Sequence, residues 1–131
     1  MISKVVYLGD LRTECTHIQS GTKIITDAPL DNQGKGEAFS PTDLLATSLA
    51  SCMMTIIGIY CKNHGINFDS CTAEIEKIMG INPRKVEKII VHMDFTGNNW
   101  DSSTLEKVII AGKTCPVAKT IEDSVQIEFN F

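Results

Sequence analysis

Of the five cysteines, at positions 15, 52, 61, 71 and 115, two stand where a thiol could react. Cys115 lies in "GKTCPVAKTI". Pro116 suits the first turn of a helix, which puts Cys115 at or near an N-cap. A thiolate there accepts backbone N–H groups and sits at the positive end of a helix dipole, and both effects lower a thiol pKa. Lys113 and Lys119 add positive potential. Cys52 lies in "SLASCMMTIIGIYC", ringed by Thr47, Ser48, Ala50, Ser51 and Thr55. It is about three turns into its helix, so the helix N-terminus does little for it, and burial alone would make it inert. A cation would have to come from elsewhere in the fold, and Arg12 and Arg84 are the only arginines. Local chemistry therefore ranks Cys115 as the activated thiol and Cys52 as structural filling.

Cys15, Cys61 and Cys71 read as small buried hydrophobes. The five cysteines are odd in number and include no CxxC pair, and His17, His64 and His92 are scattered, so neither a disulfide framework nor a metal site is expected. No flavin, nucleotide or other cofactor motif is present, so any redox chemistry would rest on sulfur. A net charge of −4 without a basic run argues against nucleic-acid binding. "MISKVVYLGD" does not read as a signal peptide, which points to the reducing cytoplasm.

The elements that must position these thiols begin with expected strands at Ser3–Leu8, Thr13–Ile18 and Thr22–Thr26, the last two joined by Gln19-Ser20-Gly21. "DAPLDNQGKGEAF" reads as an exposed loop. Ser40 then caps a helix, with Pro41 in its first position and Asp43 as the reciprocal carboxylate of a capping box. Leu44 to Cys61 carries no charge, and Gly65 supplies a stop. This run reaches the lower limit of a membrane span. Its four hydroxyls, its glycine and the lack of an aromatic belt make it a buried core helix instead. Strands at Cys71–Met79 and Val86–Phe95 flank "GINPRK". In the second, Ile89, Val91, Met93 and Phe95 alternate with polar neighbours, marking one buried face. Asp101, Ser102 or Ser103 caps a helix carrying Leu105, Val108, Ile109 and Ala111, and Val125 to Phe131 alternates as a closing strand. The order predicts one α+β domain over residues 1–131, with largely antiparallel sheets around the long helix. A helix without charge on any side must be covered all round, which predicts a homodimer.

"FSPTDLLATSLASCMMTIIGIYCKNHGI", followed some sixty residues on by "CPVAKTI", resembles the OsmC/Ohr family of osmotically inducible and organic hydroperoxide resistance proteins. The shared marks are a proline at a helix start, a cysteine eleven residues on and a late Cys-Pro; the likeness extends to the N-terminal "YLGDLRTECTHIQSGTKIITDAP". It implies a two-layer α+β fold forming an intertwined homodimer with central helices. It also implies a thiol peroxidase for organic and, less efficiently, inorganic hydroperoxides. By position Cys52 matches the family's peroxidatic cysteine and Cys115 the resolving one, which reverses the ranking from local chemistry. Arg12 best matches the arginine that stabilises the attacking thiolate.

The resemblance further implies a Cys52 sulfenate, a Cys52–Cys115 disulfide and an external dithiol reductant, for which a lipoylated protein is a candidate. Leu44, Leu49, Met53 and Ile56 would form an apolar wall favouring organic substrates. One departure concerns the carboxylate that orients the arginine. In the family it directly follows the helix-initial proline; here that residue is Thr42 and Asp43 comes next. A one-residue step turns a side chain by about 100°, so Asp43 need not reach Arg12, and Glu37 is another candidate. This departure resembles an OsmC-like branch whose members are less clearly peroxidases. The alternative reading is accordingly a redox-responsive or small-ligand-binding protein of the same fold, with little or no peroxidase turnover.

Overall fold

Runs of β-branched and apolar residues between turn formers set the strands, and the computed structural model describes all residues from Met1 to Phe131. The elements are β1 (Ser3–Gly9), β2 (Arg12–His17), β3 (Lys23–Asp27), a 3-10 turn (Leu30–Asn32), α1 (Pro41–Asn63), β4 (Thr72–Gly80), β5 (Lys85–Asp94), α2 (Ser102–Gly112), α3 (Pro116–Ile121) and β6 (Gln126–Asn130). This is the expected α+β class. The chain divides into two compact units, Met1–Leu45 and Ala46–Phe131.

In the first unit β1, β2 and β3 form an antiparallel meander in that order. The β1–β2 turn places Asp10 and Leu11 at φ 53° and 62°, a left-handed region that costs a residue such as leucine about 1–2 kcal/mol. β2 pairs with β3 in a register that sets Arg12 opposite Asp27 and Thr13 opposite Thr26. Beyond β3 the loop closes on itself, with Asp27 N–H donating to the Phe39 carbonyl at 3.0 Å and Gly36 N–H to that of Ala28 at 3.2 Å. At Gly34 an added Cβ would lie 1.6 Å from the Ala28 carbonyl oxygen, so no other residue fits this close approach. Ser40 N–H donates to Asp43 Oδ2 at 3.0 Å and Asp43 N–H to Ser40 Oγ at 3.1 Å, forming the expected capping box.

In the second unit β4 and β5 are antiparallel, and β6 pairs with β5 in parallel. Three of the four strand pairs are antiparallel, in line with the largely antiparallel expectation, and β5–β6 is the one parallel pair. The segment from β5 to β6 holds α2 and α3, long enough to return the chain to the same end of the sheet. The core gathers Leu49, Met53 and Ile57 of α1, Ile89 and Val91 of β5, and Val108 of α2, all with 1% exposure or less. α1 is long and apolar enough to cross a membrane by composition, but it turns this buried stripe to the core instead. The expected all-round cover is not supplied within the chain. Ser51, Thr55 and Ile59 form an exposed, uncharged stripe on α1, with Ile59 51% exposed.

α2 comes closest to α1 at Gly112, the last residue of α2. A Cβ there would sit 2.9 Å from Ile57 Cδ1 and 3.1 Å from Ile57 Cγ1. The missing side chain lets the chain after α2 run close beside Met53 and Ile57, where it delivers Cys115.

Candidate functional site

α3 starts where the sequence predicts. Cys115 is its N-cap with extended backbone, Pro116 opens the helix, and Ala118 N–H donates to Cys115 Sγ at 3.3 Å. Gly112 O accepts from Cys115 N–H at 3.2 Å, tying the cap to the end of α2. The Cys115 side chain is wholly buried and Cys52 is half-buried. The two thiols are close enough to interact electrostatically, and both are free rather than joined. Residues 63 positions apart in sequence thus meet at one point in the second unit.

The expectation of a lowered Cys115 pKa is overturned. Burial pushes this thiol up, and the neighbouring Cys52 thiol pushes it further. The N–H groups of Ala118 and Val117 favour the thiolate, but they are outweighed. α3 has only six residues, and desolvation of a fully buried sulfur exceeds what so short a helix returns. Neither lysine neutralises the sulfur. Lys119 is exposed and pairs with Glu122 at 3.6 Å, and Lys113 lies over the rings of Phe129 and Phe131 at 5.9 and 6.0 Å. Cys61 and Cys71 are also pushed up, chiefly by burial; of the three cysteines expected to be buried only Cys61 is, while Cys15 and Cys71 are half-buried.

Leu49 and Met53 are buried in the core, while Leu44 and Ile56 are half-buried. Helical spacing puts Ser48, Leu49, Thr55 and Ile56 on the face of Cys52, two polar and two apolar neighbours. A cleft of about 690 Å³ lies beside α3, lined by Met53, Lys113, Ala118, Lys119, Glu122 and Phe129 among others. Neither Cys52 nor Cys115 lines it.

Arg12 belongs to the first unit, and its ion pairs are made there. Its Nη2 donates to Asp27 Oδ2 and to Glu37 Oε2, each at 3.0 Å. Hydrogen bonding to Asp27, then to Glu37, raises the guanidinium pKa. The same guanidinium and the Glu37 N–H hold the Asp27 carboxyl below its ordinary value. Of the two carboxylates weighed from sequence, Glu37 reaches Arg12, and Asp43 is engaged in the capping box. Asp27, buried with 0% exposure, was not foreseen as a partner. A signal for it exists. Strands Thr13–Ile18 and Thr22–Thr26 pair about a turn at 19–21, and one more residue on each sets Arg12 against Asp27.

Comparison with known proteins follows from this geometry. The sequence profile of the OsmC family, described as OsmC-like protein, matches residues 34–130. The fold superposes on a protein from Psychrobacter arcticus 273-4, provisionally described as an osmotic stress induced and detoxification response protein. The TM-score is 0.93 at 50% identity, covering 99% of this chain and 94% of that one. An organic hydroperoxide resistance protein OsmC from Legionella pneumophila superposes with TM-score 0.77 at 19% identity, covering 98% and 93%. The organic hydroperoxide resistance protein OhrB of Bacillus subtilis gives 0.67 at 16% identity, covering 99% and 97%. A search of curated proteins finds no match.

Proposed function

Since the chain belongs to the OsmC-like family, we propose that it is a thiol-dependent peroxidase acting on organic hydroperoxides and, less well, on hydrogen peroxide. The proximity of the half-buried Cys52 thiol to the buried Cys115 thiol carries this reading. A peroxidatic sulfur must meet substrate, and a resolving sulfur need only meet its partner, and the two exposures suit those roles.

The Cys52 thiolate attacks one oxygen of ROOH. The O–O bond breaks, ROH leaves after taking up a proton, and Cys52 becomes a sulfenic acid. The Cys115 sulfur then attacks the sulfenic sulfur, forming the S–S bond and releasing water. An external dithiol opens that bond by exchange and leaves as its own disulfide, restoring both thiols. The raised Cys115 pKa keeps this thiol protonated while it waits, so its proton is available to the departing hydroxide. Arg12 serves as the cation that favours the Cys52 thiolate. A lipoylated protein is a candidate for the external dithiol.

The chain acts as a homodimer in the cytoplasm. The exposed uncharged stripe of α1 supports the dimer, as does β1, where Val5, Tyr7 and Leu8 are each at least half exposed.

The test is steady-state consumption of cumene hydroperoxide with a dithiol reductant. Many turnovers per chain, abolished by Cys52→Ser, are expected. Cys115→Ser should still consume one equivalent of hydroperoxide but stall as the sulfenic acid, trapped by dimedone. Oxidation that ends after one equivalent in the wild-type protein with dithiol present would defeat the peroxidase reading and favour a redox-responsive protein.

A further inference from the structure

We infer that Asp27, rather than Glu37 or Asp43, is the positioning residue that fixes the Arg12 guanidinium, with Glu37 in an accessory place. This deepens the reading proposed above, in which Arg12 assists Cys52. Arg12 Nη2 donates to both Asp27 and Glu37 at 3.0 Å, so distance does not rank them. Their settings do. Asp27 ends β3 directly opposite Arg12 in the β2–β3 register, and its side chain has no exposure. The Glu37 side chain is 65% exposed on the loop and has one more rotatable bond to immobilise. Exposed pairs of that kind contribute little, because solvent screens them and side-chain entropy opposes them.

The hydrogen bonds also have a direction of dependence. Asp27 Oδ2 accepts from the Glu37 backbone N–H at 3.0 Å as well as from Arg12. Asp27 N–H closes the loop by donating to the Phe39 carbonyl at 3.0 Å. Asp27 therefore sets where Glu37 stands, and Glu37 holds nothing of Asp27 beyond one N–H. The second carboxylate oxygen, Oδ1, is buried and meets no donor of the chain. A buried acceptor left unmet opposes folding. A charged aspartate kept at that cost, with its met oxygen aimed at a guanidinium, suits a residue that serves Arg12 rather than the stability of the sheet.

The experiment compares Asp27→Asn, Glu37→Gln, Arg12→Ala and the double variant Asp27→Asn/Arg12→Ala, each checked for an unaltered circular dichroism spectrum. Two quantities are read: the second-order rate constant for Cys52 oxidation by cumene hydroperoxide, and the 15N–1H signals of the Arg12 guanidinium. Asp27→Asn should slow oxidation at least tenfold and let the guanidinium rotate freely, Glu37→Gln should stay within threefold, and the double variant should be no slower than Arg12→Ala. The inference is overturned if Glu37→Gln slows oxidation as far as Asp27→Asn, or if Asp27→Asn slows the Arg12→Ala background further. Should Asp27→Asn not fold, the Glu37→Gln protein decides alone: slowly rotating Arg12 Nη groups support Asp27 as the anchor, and averaged ones overturn it. If Arg12→Ala oxidises Cys52 as fast as wild type while Asp27→Asn frees the guanidinium, the positioning stands and the role proposed for Arg12 fails.

Discussion

Replacing Gly112 by alanine tests whether the close approach of α2 to α1 brings the two sulfurs together. Helix propensity alone favours the change by up to about 1 kcal/mol. Packing opposes it, since the new methyl would lie 2.9 Å from Ile57 Cδ1 and 3.1 Å from Cγ1, well inside ordinary carbon contact. Ile57 has no exposure and lies among Leu49, Met53 and Val108, so its tip has little room to yield. Overpacking of this kind costs about 1–3 kcal/mol. The opposing effects leave Gly112→Ala destabilised by about 0–2 kcal/mol, the middle of that range being about 1 kcal/mol or roughly 4 °C in Tm for a chain of this size. Ile57→Val removes the offending Cδ1 at a cost of about 0.5–1.5 kcal/mol by itself. In that background Gly112→Ala should be neutral or stabilising, giving a coupling of at least about 1 kcal/mol between two residues in contact. Urea unfolding of the four proteins, reduced and at one fixed concentration, measures the cycle. Disulfide formation on adding diamide should slow several-fold in Gly112→Ala and recover in the double variant, because Gly112 O holds the Cys115 N–H. An equal cost of Gly112→Ala in both backgrounds would refute the steric argument.

Three further outcomes are expected. Leu11→Gly removes a leucine from φ 62° and should stabilise the fold by about 1 kcal/mol in urea unfolding; a loss would mean that the turn is unstrained. The folded state holds Cys115, Cys61 and Cys71 above the ordinary thiol value, whereas the unfolded chain ionises them near about pH 8.5. Stability from these thiols is thus complete below that pH and declines as pH rises toward the folded values, so the reduced protein's Tm should fall above pH 8.5, less steeply in Cys115→Ala. Equal slopes would contradict the raised Cys115 pKa. By sedimentation equilibrium the wild-type protein should weigh twice the 14.4 kDa chain, and Ile59→Lys should shift it toward the monomer; an unchanged dimer would place the interface elsewhere.

What could be read from the amino acids alone follows from the range of each interaction. The Ser40–Asp43 capping box and the Cys115–Pro116 helix start are matters of three or four neighbouring residues, and both stand as read. The alternation from Ile89 to Phe95 likewise marked the buried face of β5. Three features needed partners distant in sequence. The pKa of Cys115 turns on how deeply α1 and α2 bury it, which no local pattern encodes. The parallel pairing of β6 with β5 depends on where the α2–α3 crossover returns the chain. Asp27 lies one residue beyond the strand end that the sequence predicts at Thr26, among turn formers, and only its pairing with Arg12 extends the two strands to include it. The match of Cys52 and Cys115 to a known pattern brought the two thiols into consideration together, where local chemistry had separated them.

Cys115 Sγ is both the lone-pair donor that steadies the first turn of α3 and, in the proposed cycle, one half of a bond to Cys52. A disulfide sulfur accepts an N–H less well than a thiol or thiolate does, so oxidation would slacken the backbone at Ala118 as well as join two side chains. Six residues cannot sustain a helix unaided. The protein would then carry a built-in reporter of its own oxidation, legible as faster amide hydrogen exchange in a segment that never touches peroxide.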